Sequence, residues 1–371
     1  MSTSRLFRLA IPAVLAATLA GACSSSKSSS STTTAAPAGT ATTAAAGPAT
    51  TAAAKVSGTL NGSGSTFQAA YDQVAIQNFQ QANPGATVNY QSKGSGAGQT
   101  DLQNAVVDFA GSDATVPAAN VANFKGQLLY FPTVVAPITV SYNLSGVTSL
   151  QLSAATVAKI FSGKITTWND PAIVADGNTG LPSTPITVVH RSDSSGTTQN
   201  FTDYLKKADP TDWTLGSSKT INWPGNTVAG NGNTGVASAI KAKGGAVGYV
   251  DFSDAKASGL VWAKIKNSAG NVVDATLDGA SAAAAAATVS STLTYDPANS
   301  SGPQAYPITS ETYIITYAKY TDAGKVALLK AFLSYILGPD GQGAAKGVNF
   351  APLPPALDQQ ALAQVDQITA G

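Results

Sequence analysis

The chain has 371 residues and a mass of 37.1 kDa; 43% of it is hydrophobic, but only 11% is charged and 7% aromatic, with 35 Gly and 19 Pro. That is length for two domains and apolar material for a core, which excludes a wholly disordered chain, while so little charge excludes a generic nucleic-acid surface built on clustered Lys and Arg. A single Cys and a single His exclude a disulfide framework and an ordinary His/Cys metal site. Residues 1–55 carry Arg5, Arg8, Lys27 and Lys55 and no acid, which leaves 17 basic and 20 acidic residues in the remainder. Bulk charge therefore recruits nothing to the folded part.

Arg5 and Arg8 precede an apolar run, Leu9 to Ala20, that leads into Gly21-Ala22-Cys23. A basic start, a dozen apolar residues and small residues before a cleavage point read as a secretory signal over residues 1–22. The run is shorter than the ~20 residues a spanning helix needs. The lone Cys directly after it resembles a bacterial lipobox, with Cys23 lipidated as the mature N-terminus, although Leu19 stands one place farther from it than the usual pattern. The other reading is plain secretion with a stray cysteine. Residues 23–55 are almost wholly Ser, Thr, Ala, Pro and Gly and hold no large apolar side chain, so they read as a disordered tether.

From Val56 onward strand and helix patterns alternate, which predicts an α/β architecture with largely parallel sheets. Strands are expected at Thr87–Tyr90, Asp108–Gly111, Leu128–Phe131, Val134–Tyr142, Ile186–Arg191, Ala246–Val250 and Thr312–Tyr317. Helices are expected to start near Thr66, Gln99, Thr156, Thr197 and Asp322, the last presenting Val326, Leu329, Phe332, Leu333 and Ile336 as an apolar stripe ended by Gly338-Pro339. The Ala282–Ala287 run is expected as a surface helix.

Three Gly/Ser loops fall at helix starts: Gly62 to Phe67, Lys93 to Gly98, and Arg191 to Thr198. Free backbone N–H groups at a helix N-terminus, with hydroxyls beside them, suit an oxyanion, and donors from three directions suit a tetrahedral one. Arg191 adds a bidentate fork. No G-x-x-x-x-G-K-[ST] string occurs, so a bare inorganic anion fits better than a nucleotide. Gly111-Ser112-Asp113 then places a carboxylate among donors. An anion that carries a proton can give it to that carboxylate, whereas sulfate meets only repulsion, so Asp113 selects phosphate. The alternative is that Asp113 is an N-cap or braces its loop.

These strings, with Val107 to Asp113, Phe131-Pro132-Thr133, Gly163 to Asp170, Gly245 to Val250 and Tyr306 to Ser310, resemble the phosphate-binding lipoprotein of the bacterial high-affinity ABC phosphate importer. They follow in that family's order over roughly residues 57–355. The resemblance implies a two-lobed periplasmic-binding-protein (Venus-flytrap) fold with a hinge and an interlobe cleft, one lobe being residues 56–135 plus 308–371 and the other residues 136–307. It implies a ligand set of Thr66 and the Phe67 amide, Ser95, Asp113 as acceptor of the phosphate proton, Arg191, and Ser195, the Gly196 amide and Thr197, with Asp193 orienting Arg191. Gly96 and His190 depart from residues common in the family. The implied partners are inorganic phosphate and the permease subunits of the importer, with no cofactor, no metal and no nucleic acid. The implied place is the outer face of the cytoplasmic membrane, where the protein is anchored through Cys23 as a monomer.

Enzyme readings fare worse. A serine hydrolase would have only His190 as its base, beside Arg191 within a loop already assigned, and a phosphatase would ordinarily need metal ligands that the composition does not offer. The chain is therefore expected not to be an enzyme, a surface phosphatase being the alternative.

Overall fold

The computed structural model describes residues 56–371 apart from Asn226; the signal run, Cys23 and the tether lie outside the described residues. In the first part of the chain, β1 (Gly58–Gly64), α1 (Ala69–Ala82), β2 (Ala86–Ser92), α2 (Ser95–Gln103) and β3 (Phe109–Ser112) build a parallel half-sheet in which β1 lies between β2 and β3. A 16-residue strand follows, β4 (Leu128–Asn143), buried at every position from Leu129 to Tyr142.

After α3 (Ala154–Phe161) come β5 (Thr187–Arg191), α4 (Gly196–Ala208), β6 (Thr227–Gly230), α5 (Gly232–Ala242), β7 (Ala246–Asp251), α6 (Phe252–Ala257), β8 (Val261–Trp262) and α7 (Leu277–Ala286). The last main elements are β9 (Thr309–Tyr317), fully buried, and α8 (Ala323–Ile336). The strand order is β2-β1-β3-β9-β4-β7-β5-β6, with β8 on the other edge of β4.

One strand thus serves both halves. Leu128 to Pro137 of β4 pair antiparallel with β9, and Ile138 to Asn143 pair antiparallel with β7. The expectation of two strands, Leu128–Phe131 and Val134–Tyr142, is corrected: Pro132 does not end the strand, because a register shift between Glu311 and Tyr313 of β9 falls opposite it and absorbs the missing donor. The largely parallel sheet is corrected too. The outer pairs are parallel, but β9 and β4 are antiparallel to their neighbours, since both run through the middle of the molecule.

Aromatic clusters fill each half, Phe79 against Phe332 at 5.3 Å on one side, Phe201 between Phe161 at 4.7 Å and Tyr249 at 4.6 Å on the other. The predicted stripe on α8 is buried as expected, and Asp322 caps the helix by accepting from the Lys325 amide at 3.0 Å. The alanine run lies in α7, which exposes Asp278, Ala285 and Ala286 and packs its other face, Gly279, Ala280, Ala283 and Ala284, on β4 and β9, small residues that let the helix lie close to the strands. Among the described residues no helix is long and apolar enough to cross a membrane.

Candidate functional site

The parallel strands deliver their C-terminal ends, and the loops that follow, to one place. Gly64 of β1 is level with Ser92 of β2 and Gly111 of β3, while Arg191 of β5 is level with Gly230 of β6. Loops at the carboxyl ends of strands are where open α/β sheets bind ligands. Here two such sets face each other, and backbone joins them: the Gly96 amide donates to the Ser194 carbonyl at 2.9 Å.

Asp113 sits at the centre, 1% exposed. One carboxylate oxygen accepts from the Ser65 hydroxyl; the other accepts from Ser95 Oγ at 3.3 Å and Thr197 Oγ1 at 3.5 Å. Its own amide donates to Ser95 Oγ at 3.1 Å. Burial pushes the Asp113 carboxyl up to about 6, against the opposing pull of the Ser65 hydrogen bond and the Arg191 charge. It is therefore ionised at neutral pH and poised to accept.

Arg191 is held by a fork. Its Nε donates to Asp193 Oδ1 at 2.7 Å, its Nη2 donates to Asp193 Oδ2, and its Nη1 reaches Thr197 Oγ1 at 3.3 Å. Asp193 also accepts from the Gly232 amide at 3.1 Å. Burial alone would raise the Asp193 carboxyl, but the Arg191 hydrogen bonds and charge hold it below the usual range. The guanidinium side chain is only 1% exposed. The cation is thus deeply buried and held on one side by Asp193, with Nη1 turned toward Thr197 in the cluster.

Ser195 is the N-cap of α4, its Oγ accepting from the Thr198 amide at 3.1 Å. Gly196 next to it has no room for a side chain, because a Cβ would lie 2.5 Å from Ser95 Oγ and 2.7 Å from Asp113 Cβ. Only glycine lets the helix start come so close to the opposite loops. Gly94, at φ +95°, is likewise pressed against Asp193.

The cluster brings together all nine residues expected from the sequence, with two local differences. The first helix begins at Ala69 rather than near Thr66, and the Phe67 amide donates to Ser65 Oγ at 3.0 Å. The second begins at Ser95 rather than near Gln99, so the Gly-rich string is itself the first turn of α2, hidden by the low helix propensity of glycine. Two further residues belong to the cluster. Ser65 links the first loop to Asp113, and Asn233, fully buried, donates from Nδ2 to Thr66 Oγ1 at 3.2 Å and to Thr197 Oγ1 at 3.1 Å. Asn233 sits in Gly230-Asn231-Gly232-Asn233, a fourth Gly-containing loop at a helix start, which reads as a plain turn when the short β6 before it goes unnoticed.

His190 is structural. Its ring nitrogens face the Arg191 carbonyl at 2.9 Å and Thr227 Oγ1 at 3.1 Å, and it stacks on Trp223 at 5.3 Å. Trp168 is core, its Nε1 donating to the Gly245 carbonyl at 3.0 Å.

A family model described as a PBP superfamily domain matches residues 49–340. The phosphate-binding protein PstS 2 of Mycobacterium tuberculosis is 36% identical over 324 residues, 84% of this chain and 87% of that protein. The phosphate-binding protein PstS of Pasteurella multocida is 36% identical over 316 residues, 82% of this chain and 89% of that one. Among solved structures, the high affinity periplasmic phosphate-binding protein PfluDING, bound with phosphate at pH 8.5, superposes with a TM-score of 0.68 at 27% identity, covering 83% of this chain and 94% of that one.

Proposed function

Since this chain belongs to the PstS phosphate-binding proteins, within the PBP superfamily, we propose that it binds inorganic phosphate between its two half-sheets and delivers it to the permease of an ABC importer. It is a binding protein and not an enzyme, and it needs no cofactor. The phosphatase alternative has no support among the relatives, which are named for binding.

The observation that carries the reading is the arrangement of one acceptor among donors. Asp113 is the single carboxylate at the centre: Ser95 and Thr197 donate to it, Arg191 donates to Thr197 and Gly196 packs against it, while Thr66, the Phe67 amide, Ser195 and the Gly196 amide complete the proposed ligand set from the adjoining loops. Monohydrogen phosphate gives its proton to Asp113 and receives hydrogen bonds on its other oxygens; Asp193 holds the Arg191 fork in place and stays off the ligand. Isothermal titration of the full chain tests this directly. One phosphate per chain is expected and no measurable heat with sulfate; equal binding of the two anions would overturn it.

The change of partners along β4 supports the division into residues 56–135 plus 308–371 and residues 136–307, with closure by hinge motion at the crossing strands. The protein works as a monomer on the outer face of the cytoplasmic membrane, anchored through a lipid on Cys23. The signal-like run and the coreless tether that follow one another there support this. Cys23→Ser is expected to move the protein from the detergent phase of cell extracts into the medium; a variant that stays in the detergent phase would rule the anchor out.

A further inference from the structure

Resting on that reading, we propose that Asn233 is a positioning residue which fixes the hydrogen-bond polarity of the Thr66 and Thr197 hydroxyls, so that both give protons to the anion and neither accepts one. Asn233 is fully buried in the first turn of α5. Its Oδ1 accepts from the Asp251 amide at 3.4 Å. A backbone N–H only donates, so this contact sets which way the side-chain amide lies. The NH₂ must then point the other way, and it meets Thr66 Oγ1 at 3.2 Å and Thr197 Oγ1 at 3.1 Å.

Each hydroxyl is supplied a second time. The Asn233 amide donates to Thr66 Oγ1 at 3.3 Å, and Arg191 Nη1 donates to Thr197 Oγ1 at 3.3 Å. With N–H donors already on its oxygen, each threonine can use its own O–H only as a donor, Thr197 toward Asp113 Oδ2 at 3.5 Å and toward an anion that enters beside it. The chain of polarity thus runs from a peptide N–H through Asn233 to two hydroxyls on opposite sides of the cleft. It withdraws both threonines as acceptors and leaves the ligand's proton to Asp113. A free threonine hydroxyl has no such bias, since it rotates to accept as readily as to donate.

The consequence is selection by protonation state. Monohydrogen phosphate has one proton, and one acceptor waits for it. Dihydrogen phosphate brings a second proton, which meets hydroxyls fixed as donors. The ionisable groups around Asn233 are Asp113, Arg191 and Asp193 in the cluster and Asp251 and Asp254 at the cap of α6; all of these remain in a variant changed only at Asn233.

The test is phosphate titration at pH 8 and pH 5 with wild type, Asn233→Ala and Asn233→Ser, each checked for a cooperative thermal transition. Asn233→Ala is expected to bind ~10-fold more weakly at pH 8, the scale of one or two lost hydrogen bonds. Its loss at pH 5 is expected to be at least ~3-fold smaller, because hydroxyls free to turn accept the second proton. A merely structural role lowers affinity by the same factor at both pH values, and that result would overturn the proposal. Asn233→Ser carries the same comparison should the alanine variant not fold. Wild type failing to bind phosphate at pH 8 would instead overturn the phosphate reading itself, so the two failures are distinct.

Discussion

Arg191→Ala is expected to weaken phosphate binding by at least ~30-fold. The guanidinium is 1% exposed and already engaged by both oxygens of Asp193, so the ligand meets a cation whose desolvation and ordering are complete before it arrives. Truncating one partner of a buried, hydrogen-bonded charge pair costs about 2–5 kcal/mol or more, since the other charge is left uncompensated. Here two charges are abandoned, the anion and Asp193. Arg191→Lys is expected to fall between the two, because a lysine keeps the charge but cannot reach Asp193 with a fork and the ligand with a third N–H. Isothermal titration measures both variants, with thermal unfolding as the check that each is folded. Wild-type affinity in the alanine variant would move the site away from β5.

Asp113→Asn is expected to reduce discrimination against sulfate far more than it reduces phosphate affinity. In the proposed role the carboxylate accepts the phosphate proton and repels an anion that has none to offer. An asparagine amide can instead turn its NH₂ toward a bare oxygen. Sulfate then becomes a competitor in phosphate titrations of the variant, whereas it has no effect on wild type. Competition curves that stay superimposable would show that Asp113 only braces its loop. The pH dependence gives a second reading. With its carboxyl at about 6 in the folded protein, Asp113 turns from acceptor to donor as pH falls through that value, so wild-type affinity drops there and the variant shows no such inflection. The sign for stability is opposite. The folded carboxyl holds its proton more tightly than the unfolded one, so its stabilising contribution is complete below about pH 4 and is lost as pH rises through 6.

Much of this site is legible in the sequence because its residues come in short strings at strand ends. Arg191 ends β5 and Asp193 stands two residues on, in the bend that follows, close enough in sequence for the fork between them to be expected. Ser195 to Thr197 carry the signature of a helix start. The residues less visible are those whose work depends on a partner from elsewhere. Ser65 lies inside a quoted string, but its role as the bridge between the Phe67 amide and Asp113 exists only because β1 and β3 are neighbours. Asn233 follows Gly232 as Asn178, Asn226, Asn231 and Asn271 follow glycines elsewhere, and nothing local separates it from a turn residue. In the fold, the merging of two expected strands into β4 depended on how Pro132 to Val135 pair with Tyr313 to Glu311 of β9, three steps against two, and that partner lies too far along the chain for a pattern around Pro132 to reveal it.

The position of β9 has a consequence for how the molecule is made. It lies between β3 and β4, pairing Tyr313 with Ser112 and Ile314 with Phe131, residues roughly 200 positions apart in the chain. Until that strand is available the first half-sheet has a slot in it, flanked by two strands that are buried along almost their whole length in the finished fold. Open apolar edges of this kind pair with the wrong partner readily. The strands of the other half-sheet are complete at β8, because β4 to β7 are consecutive in the chain. Folding order is therefore built into the connectivity: the middle of the chain can assemble while the beginning waits for the end. A chain cut short before Thr309 does not lose a tail; it loses the keystone of the half that was synthesised first.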